Sequence, residues 1–280
     1  MIRGSLNLRG RSLEWGVRTY VMGVVNITPD SFSKDGTSDP DAATAIAVHQ
    51  RDAGADILDF GAESTRPGHQ PIDEATELSR LMPVLGRFRA QDQSTILSID
   101  TFKPAVFRRA HAAGGDILNS IWGLDEALLE VAIECDAPVI AMHNKSVAVY
   151  RNVVDEVLAS LDATAQRAVR RGMKTQNVIL DPGIGFGKTA DHNLELLAAL
   201  DRLVALGFPT ILGTSRKSTI GKLTGKPVTD RVYGTAATLA LAAAAGIDIV
   251  RVHDVAPARD VVRVADAIAR KWRPEDWGAQ

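Results

Sequence analysis

The chain has 280 residues, 45% of them apolar and 24% charged, so it can bury a full core and is no small scaffold. Its 32 basic and 34 acidic residues give a formal net charge of −2, which excludes a general positive field for nucleic acid or an anionic membrane. A single cysteine, Cys135, excludes an intrachain disulfide, and the first residues lack the apolar run of a signal peptide, so we expect a cytoplasmic protein.

The first predicted element is a short β-hairpin within residues 6–19, and eight short apolar runs follow it. The runs are rich in Val and Ile, as is typical of strands buried on both faces, and segments of helical spacing separate them. They lie at 20–26, 56–60, 96–100, 116–119, 138–143, 178–181, 210–214 and 247–253. Eight alternations of strand and helix predict an α/β fold, a (β/α)8 TIM barrel whose bottom is covered by the hairpin.

The segments between the strands carry their own signals. Residues 194–206 predict one helix with the leucines at 194, 197, 200 and 203 along one side. Glycines just before several strands, such as Gly54 and Gly246, predict left-handed helix ends. The apolar segment 234–246 is too short and too rich in alanine to span a bilayer, so it predicts a buried helix.

No linker or low-complexity run divides the chain. We therefore expect a single domain over 1–280, with the hairpin in 1–19, the barrel in 20–271 and a tail in 272–280. The alternative architecture is an open, doubly wound sheet, which concentrates polar site residues near one switch point. Here polar residues follow every predicted strand, which favours the barrel. They are Asn26, Glu63, Asp100, Asn119, His143, Asp181, the triplet Ser215, Arg216 and Lys217, and Arg251 with His253.

A basic set of residues follows the last two predicted strands, in the motifs GTSRKS (213–218) and RVHD (251–254). Phosphate sites frequently lie at this place in a barrel. Arg251 and His253 are two residues apart and so share one face of a strand. Together with Asn26 from the neighbouring first strand they would form an anion clamp. The plainer interpretation is a set of surface ion pairs.

A second set consists of Asp100, Asn119 and Asp181, which follow the third, fourth and sixth predicted strands. Carboxylates accept hydrogen bonds and amides do both, so this set suits the donor-rich edge of a fused nitrogen heterocycle. A divalent-metal cage is an alternative, because it also favours carboxylates. Any one of the three side chains could instead cap a helix.

The glycine-rich stretch 181–189 (DPGIGFGKT) is not a P-loop, because only three residues separate Gly183 from Gly187 and Pro182 stands where glycine is required. It predicts a tight loop with Phe186 available to stack on a flat ring. The loops at 28–37 and 64–71 predict lids over the barrel mouth. The histidines show no zinc spacing, and Cys135 is expected to be a packing residue.

Taken together, the motifs resemble one family, the dihydropteroate synthases, from about residue 21 to residue 254. The resemblance rests on six segments in family order: NITPDSFS (26–33), ESTRPG (63–68), SIDT (98–101), LDPGIGFGK (180–188), TSRKS (214–218) and RVHDV (251–255). It implies a transferase of folate biosynthesis that joins 6-hydroxymethyl-7,8-dihydropterin diphosphate to p-aminobenzoate and releases diphosphate. It also implies Mg²⁺ and a homodimer, and it marks the chain as a member of a sulfonamide-target family.

The resemblance also assigns roles by motif position. It implies that Asp100, Asn119, Asp181 and Lys217 hold the pterin, with Met142 and Phe186 against its ring. It implies that Asn26, Arg251 and His253 take the diphosphate, with Asn26 also a magnesium ligand, and that Thr65, Arg66, Pro67 and Ser218 shape the p-aminobenzoate pocket. Asp30, Asp35, Arg66 and Lys217 would act in catalysis. The pterin set and the diphosphate set are expected on opposite arcs of one cup.

The sequence departs from the family pattern in its first loop. That loop reads SFSKDG, with Lys34 where an aspartate is usual and Asp35 one place later, so either Asp30 or Asp35 could be the acting acid. Two other functions stay open at this point. One is an inactive synthase-like paralogue that binds pterin, and the other is a pterin-dependent methyltransferase domain, which would not need SRKS or RVHD.

Overall fold

A computed structural model describes residues 4–28, 36–64, 70–274 and 277–278 of the chain. Its strands are β1 (Ser5–Leu8), β2 (Arg11–Glu14), β3 (Tyr20–Asn26), β4 (Ile57–Gly61), β5 (Ile96–Asp100), β6 (Ile117–Ser120), β7 (Val139–Met142), β8 (Val178–Asp181), β9 (Ile211–Leu212) and β10 (Ile249–Val252). Strands β3 to β10 form one parallel sheet in the spatial order β8-β7-β6-β5-β4-β3-β10-β9. A backbone bridge between Leu180 and Thr210 brings the two outer strands together. The predicted TIM barrel is therefore confirmed.

Helices follow the barrel strands and pack on their outer faces. They are α1 (Pro40–Asp52), α2 (Glu74–Gln91), α3 (Pro104–Ala112), α4 (Glu126–Glu134), α5 (Val153–Arg170), α6 (Ala190–Ala198), α7 (Leu200–Val204), α8 (Ser218–Thr224), α9 (Val232–Ala245) and α10 (Val255–Ala269). Short polar side chains start several of them by accepting a backbone N–H of the first turn, as Asp73 and Asp125 do. No helix of the described residues is long and apolar enough to cross a membrane.

The helix ends agree only partly with the sequence pattern. Gly54 and Gly246 have φ angles of 97° and 98°, which confirms the predicted left-handed ends. The single helix predicted over 194–206 is wrong, because the chain breaks at Ala199 into α6 and α7. The buried leucines are 196, 200 and 203, spaced by four and three residues, while Leu194 is 38% exposed. Leu200 and Leu203 of the predicted stripe thus face the core, while Leu196 replaces Leu194 there and Leu197 is only partly buried.

The lower part of the barrel interior is a ring of isoleucines. Seven of the eight strands contribute one fully buried isoleucine each, and β3 contributes Met22 and Tyr20. Leu6, Leu13 and Trp15 of the hairpin segment pack against this ring, and the Trp15 indole N–H donates to the carbonyl of Gln176 at 2.9 Å. The hairpin thus closes the bottom of the barrel, as the sequence predicted. The isoleucines are 57, 96, 117, 140, 179, 211 and 249.

Candidate functional site

The floor of the candidate site is the next layer of inward-facing residues. Side chains two residues apart on a strand share a face, so the residue two positions after each isoleucine of the ring also points into the barrel. All of these residues except Met142 are polar or small, whereas the ring below is apolar. They are Asp59, Ser98, Asn119, Met142, Asp181, Gly213 and Arg251. The strand register alone therefore brings two acids, an amide and an arginine from four different strands into one layer.

An open cavity lies above this layer, at the carboxyl ends of the strands. Ile121, Ile184, Gly213 and Ser215 supply part of its wall. The rest of the wall consists of eight residues that the sequence singled out, namely Asp100, Asn119, Met142, Asp181, Phe186, Lys217, Arg251 and His253. The two polar sets inferred from strand ends therefore meet in one cavity.

The remaining predicted site residues have different positions. Asn26 ends β3 and pairs in register with Gly61, which pairs in turn with Asp100. Ser218 begins α8 and is exposed. The predicted residues of the two loops lie outside the described part of the chain, so the structure does not locate them. They are Asp30, Asp35, Thr65, Arg66 and Pro67.

Arg251 forms the central ion pair of the site. Its Nε and Nη2 atoms both lie 2.7 Å from Asp59 Oδ2, and Nη2 lies 3.2 Å from Asp100 Oδ2. The sequence placed the basic and acidic sets on opposite arcs of the cup. In the structure they are joined, because a guanidinium pointing into a narrow barrel has carboxylates as its nearest neighbours. Arg251 thus presents its charge from the floor of the cavity.

Asp59 is a site residue that the sequence analysis missed. It lies in the middle of β4, its side chain is fully buried, and it also accepts hydrogen bonds from Asn119 Nδ2 at 3.1 and 3.3 Å. The sequence argument rests on polar residues that follow the predicted strands, such as Glu63 after the second one, whereas Asp59 lies inside that strand. A signal was present in the run DILDF, because a carboxylate inside a doubly buried strand requires a buried partner.

Burial changes the acidity of the two predicted carboxylates. Desolvation, with a smaller effect from the neighbouring Asp59 carboxylate, raises the pKa of Asp100 to about 7. Desolvation also raises the pKa of Asp181, against the opposing effect of the Gly183 backbone N–H, which donates to Asp181 Oδ1 at 2.7 Å. Neither carboxylate caps a helix, since Lys103 and Thr189 precede the helices that follow them, and the capping interpretation is wrong for both.

Lys217 is the cation of the upper wall. Its Nζ lies 4.2 Å from the centre of the Phe186 ring, a cation–π distance. Burial and the nearby Arg251 guanidinium lower the pKa of Lys217 to about 8. One basic residue of the SRK triplet therefore faces the cavity together with the phenyl ring of Phe186.

The glycine-rich loop after β8 is held close to the preceding strand. Gly183 has a φ of 69°, and a Cβ there would lie 2.0 Å from the carbonyl oxygen of His143. Lys188 donates to the carbonyls of His143 and Phe186 at 3.2 and 3.0 Å, and burial lowers the pKa of Lys188 to about 8. These contacts fix the backbone beside Phe186, in agreement with the tight loop that the sequence predicted.

Two contacts connect the motifs after β9 and β10. Ser215 Oγ accepts from the His253 backbone N–H at 3.2 Å and lies 2.9 Å from His253 Nδ1. Arg216 pairs with Asp254 through two hydrogen bonds of 3.0 and 2.6 Å, and its φ of 58° is unusual for a residue with a side chain. Of the SRK triplet, serine and arginine thus bind the RVHD segment.

Glu63, at the start of the second predicted lid, is also anchored. Lys103 Nζ contacts the carboxylates of both Glu63 and Glu77, and Glu63 Oε1 accepts from the backbone N–H of Ile72 at 3.1 Å. Both glutamates are buried, so each needs this cation. Glu63 therefore connects the beginning of the loop with residue 72, beyond its other end.

Among the described residues, no group of three or more His, Cys, Asp and Glu side chains could hold a metal ion by itself. A site completed by substrate needs fewer protein ligands, because Mg²⁺ is commonly bound by one or two protein groups together with water and phosphate oxygens. The Asn26 amide oxygen, at the rim of the barrel, is of the type that such an ion accepts.

Comparison with known proteins identifies the family. Residues 22–253 match the model of the family described as pterin binding enzymes. A curated dihydropteroate synthase of Clostridium beijerinckii is 40% identical over 270 residues, which cover 95% of this chain and 100% of that protein. The chain belongs to the dihydropteroate synthase family. The resemblance inferred from the six motifs is thus confirmed.

Solved structures of other family members agree with the fold. A Xanthomonas albilineans dihydropteroate synthase with 4-aminobenzoic acid is 40% identical, with a TM-score of 0.88 and coverage of 96% of this chain and 99% of that one. A Thermus thermophilus enzyme in complex with 6HMPPP has 41% identity, a TM-score of 0.83 and coverage of 94% and 99%. A Yersinia pestis enzyme in a sulfonamide drug complex has 36% identity, a TM-score of 0.89 and coverage of 95% and 99%.

Proposed function

We propose that this chain is a transferase that joins 6-hydroxymethyl-7,8-dihydropterin diphosphate to p-aminobenzoate, yielding 7,8-dihydropteroate and diphosphate. One observation carries the proposal: a single cavity of a dihydropteroate synthase fold holds the acid, amide, lysine and arginine that the two substrates require. Structures of relatives have been solved with 4-aminobenzoic acid and with 6HMPPP, which supports the same pair of ligands here.

We further propose a cytoplasmic location, which suits a lone, half-buried cysteine.

The pterin is proposed to lie deep in the cavity. Asp100 and Asp181 would accept from its donor-bearing edge, and Asn119 would contribute an amide oxygen beside them. Lys217 would donate to an acceptor of the same ring system. Met142 and Phe186, which line the cavity, would contact the flat faces of the ring.

The diphosphate is proposed to lie between the rim and the floor, where Asn26 and His253 would bind it from the strand ends and Arg251 from below. Arg251 is held at its base by Asp59 and Asp100, so the remaining guanidinium edge can meet an anion without losing its orientation. Bound Mg²⁺, held by the Asn26 oxygen and phosphate oxygens, would neutralise part of the diphosphate charge.

The reaction replaces one bond to the pterin methylene carbon by another. The C–O bond to diphosphate breaks, the amine nitrogen of p-aminobenzoate forms the new C–N bond, and that nitrogen loses a proton to solvent or to diphosphate. Because the ring donates electrons to the methylene, C–O cleavage can precede attack. Arg251 and His253 would stabilise the charge that develops on the leaving oxygen, while Lys217 holds the ring that loses it.

The two lid loops complete the proposed site. Thr65, Arg66, Pro67 and Ser218 would form the p-aminobenzoate pocket, and Asp30 or Asp35 would support the cationic intermediate. Glu63 supports this arrangement, because its bonds to Lys103 and Ile72 keep the two flanks of the second loop together. Closure of both loops would exclude water, which otherwise traps the cation.

We also propose that the chain forms a homodimer through helices α9 and α10. The groove between them is lined almost entirely by alanine, valine and isoleucine side chains, and Leu241, Val264 and Ile268 are each more than 60% exposed beside it. A second copy of this face is the partner that best covers such a patch, since isologous dimers bury one patch against itself. Ile268→Glu should shift the molecular mass in solution from dimer to monomer, while Ile133→Glu on α4 should leave it unchanged.

The deciding experiment combines the purified protein with the pterin diphosphate, p-aminobenzoate and Mg²⁺ and measures diphosphate release together with dihydropteroate. Equal amounts of the two products, dependent on p-aminobenzoate, are expected. Binding of pterin without release would favour the inactive paralogue. Neither binding nor release would contradict the proposed function altogether.

A further inference from the structure

We propose that Asp59 is a positioning residue that fixes Asn119 and Arg251 in the orientations needed to read the pterin and to meet the diphosphate. This inference rests on the proposed function and adds to it a residue below the substrate. Asp59 does not line the cavity, so its effect on a ligand has to pass through other side chains.

Asp59 is enclosed by the barrel and has no access to solvent. It lies two residues after Ile57 on β4, directly above the isoleucine ring, and its side chain is fully buried. An isolated carboxylate in such a layer would cost several kcal/mol, so its presence demands partners. The structure supplies two, Arg251 from β10 and Asn119 from β6.

The contact with Asn119 decides which end of that amide faces a ligand. A carboxylate offers only acceptor oxygens, so it takes the amide N–H₂ of Asn119 and not its carbonyl. No described residue donates to Asn119 Oδ1. The amide oxygen is therefore the atom left for the substrate, which makes Asn119 an acceptor beside Asp100. Without Asp59 the amide could rotate by half a turn and present a donor to the donor edge of the pterin.

The contact with Arg251 fixes a second side chain. Nε and Nη2 are both 2.7 Å from one oxygen of Asp59, which aligns that edge of the guanidinium toward the floor. Asp100 holds Nη2 as well, at 3.2 Å. If Asp59 lost its charge, Asp100 would be the one carboxylate left of the two that contact Arg251. It would then be drawn toward the arginine. The same change would thus disturb a pterin acceptor and the diphosphate cation together.

The test uses Asp59→Asn, which keeps the shape and removes the charge. Pteroic acid is the probe for binding, measured by calorimetry, and kcat and KM are measured with both substrates. We expect pteroic acid to bind about 10- to 100-fold more weakly and KM for the pterin substrate to rise more than kcat falls, as is typical when a supporting contact of a ligand-binding side chain is lost. Ser120→Ala is the matched control, since Ser120 is equally buried, lies on the outward face of β6 next to Asn119, and its hydroxyl has no described partner.

A double-mutant cycle separates positioning from general destabilisation. In an Asn119→Ala background, Asp59→Asn should weaken pteroic acid binding several-fold less than it does in the wild type. The reason is that Asp59 can then affect the ligand only through Arg251 and no longer through Asn119. Equal losses in both backgrounds, or unchanged binding in Asp59→Asn, would overturn the inference. Asp59→Ser, compared at matched thermal stability, provides the same readout if the asparagine variant folds poorly. Absence of turnover in the wild type would contradict the proposed function, while the pteroic acid measurements would still decide the role of Asp59.

Discussion

Ser215 Oγ lies 2.9 Å from His253 Nδ1 and also accepts the backbone N–H of the same histidine. This pair of contacts allows the serine hydroxyl to donate to Nδ1, and the neutral ring then carries its proton on Nε2, the nitrogen that can donate to an anion. The orientation of a side chain proposed to bind diphosphate is thus set by the neighbouring strand end.

The first prediction follows from this pair. Ser215→Ala should raise KM for the pterin diphosphate by about 5- to 10-fold, because His253 loses the bond that selects its tautomer and orientation. Binding of pteroic acid, which has no diphosphate, should be nearly unchanged. Initial-rate kinetics and calorimetry check both statements, and Ser160→Ala on the exposed side of α5 is the control. An equal loss for both ligands would show that Ser215 supports the whole cavity and not His253 alone.

The pH profile of kcat/KM should be narrow. Asp100 has a pKa raised to about 7, so at lower pH it carries a donor O–H, and it becomes a carboxylate with two acceptor oxygens as the pH rises through that value. Lys217 has a pKa lowered to about 8, so it loses its charge as the pH rises further. We therefore expect a bell-shaped profile. Its acid limb should report the ionisation of Asp100 in the free enzyme, and its alkaline limb that of Lys217.

Measurement of kcat/KM between roughly pH 5.5 and 9.5 checks this profile. In Lys217→Arg the alkaline limb should move out of the range, because guanidinium stays protonated, even though total activity falls. The acid limb should stay where it is. A profile that is flat over the whole range would mean that neither group has to hold a fixed charge.

Removal of the central arginine should cost stability as well as activity. Arg251→Ala leaves the buried carboxylates of Asp59 and Asp100 without their cation, so we expect a loss of about 3 kcal/mol in the free energy of unfolding. Diphosphate binding should be lost with it. Denaturant unfolding and calorimetry measure the two effects. The control is Arg202→Ala, which breaks an exposed pair with Asp155 and should cost less than about 0.5 kcal/mol. Unchanged turnover and diphosphate binding in Arg251→Ala would rule out its assigned role.

Gly183→Ala should abolish pterin binding. The added Cβ would lie 2.0 Å from the His143 carbonyl oxygen, and relief of this clash has to move the loop that carries Phe186. Gly225→Ala is the matched control, because Gly225 has the same φ of 69° but open space around it. It should show only the strain of a left-handed alanine, roughly 1 kcal/mol in unfolding free energy, with normal binding. Similar binding losses in both variants would point to backbone strain as the cause.

The strand pattern could be predicted because a parallel barrel buries both faces of every strand. The predicted strands 20–26, 96–100 and 178–181 coincide with β3, β5 and β8, while the predicted 210–214 shortens to the two residues of β9. The short β9 shows that apolar composition does not predict where a strand ends. Strand ends depend on which backbone N–H and C=O groups form hydrogen bonds with the neighbouring strands.

The candidate site could be predicted only where its residues lie at strand ends. Asp100, Asp181 and Lys217 follow buried runs, and all three line the same cavity. Asp59 was missed because its role depends on partners from β6 and β10, which lie far away in sequence and meet only when the barrel closes. For the same reason the sequence does not show that Arg251 of the basic set forms ion pairs with Asp59 and Asp100.

The hairpin segment with Trp15 closes the barrel beneath the isoleucine ring, and this closure has a kinetic consequence. A barrel closed at one end gives every substrate and product the same single entrance. The pterin diphosphate, whose ring binds deepest, must then enter before p-aminobenzoate occupies the space above it, and diphosphate must leave by the same opening as dihydropteroate. Strictly sequential addition, with the pterin diphosphate first and p-aminobenzoate second, is the order of events that this geometry imposes.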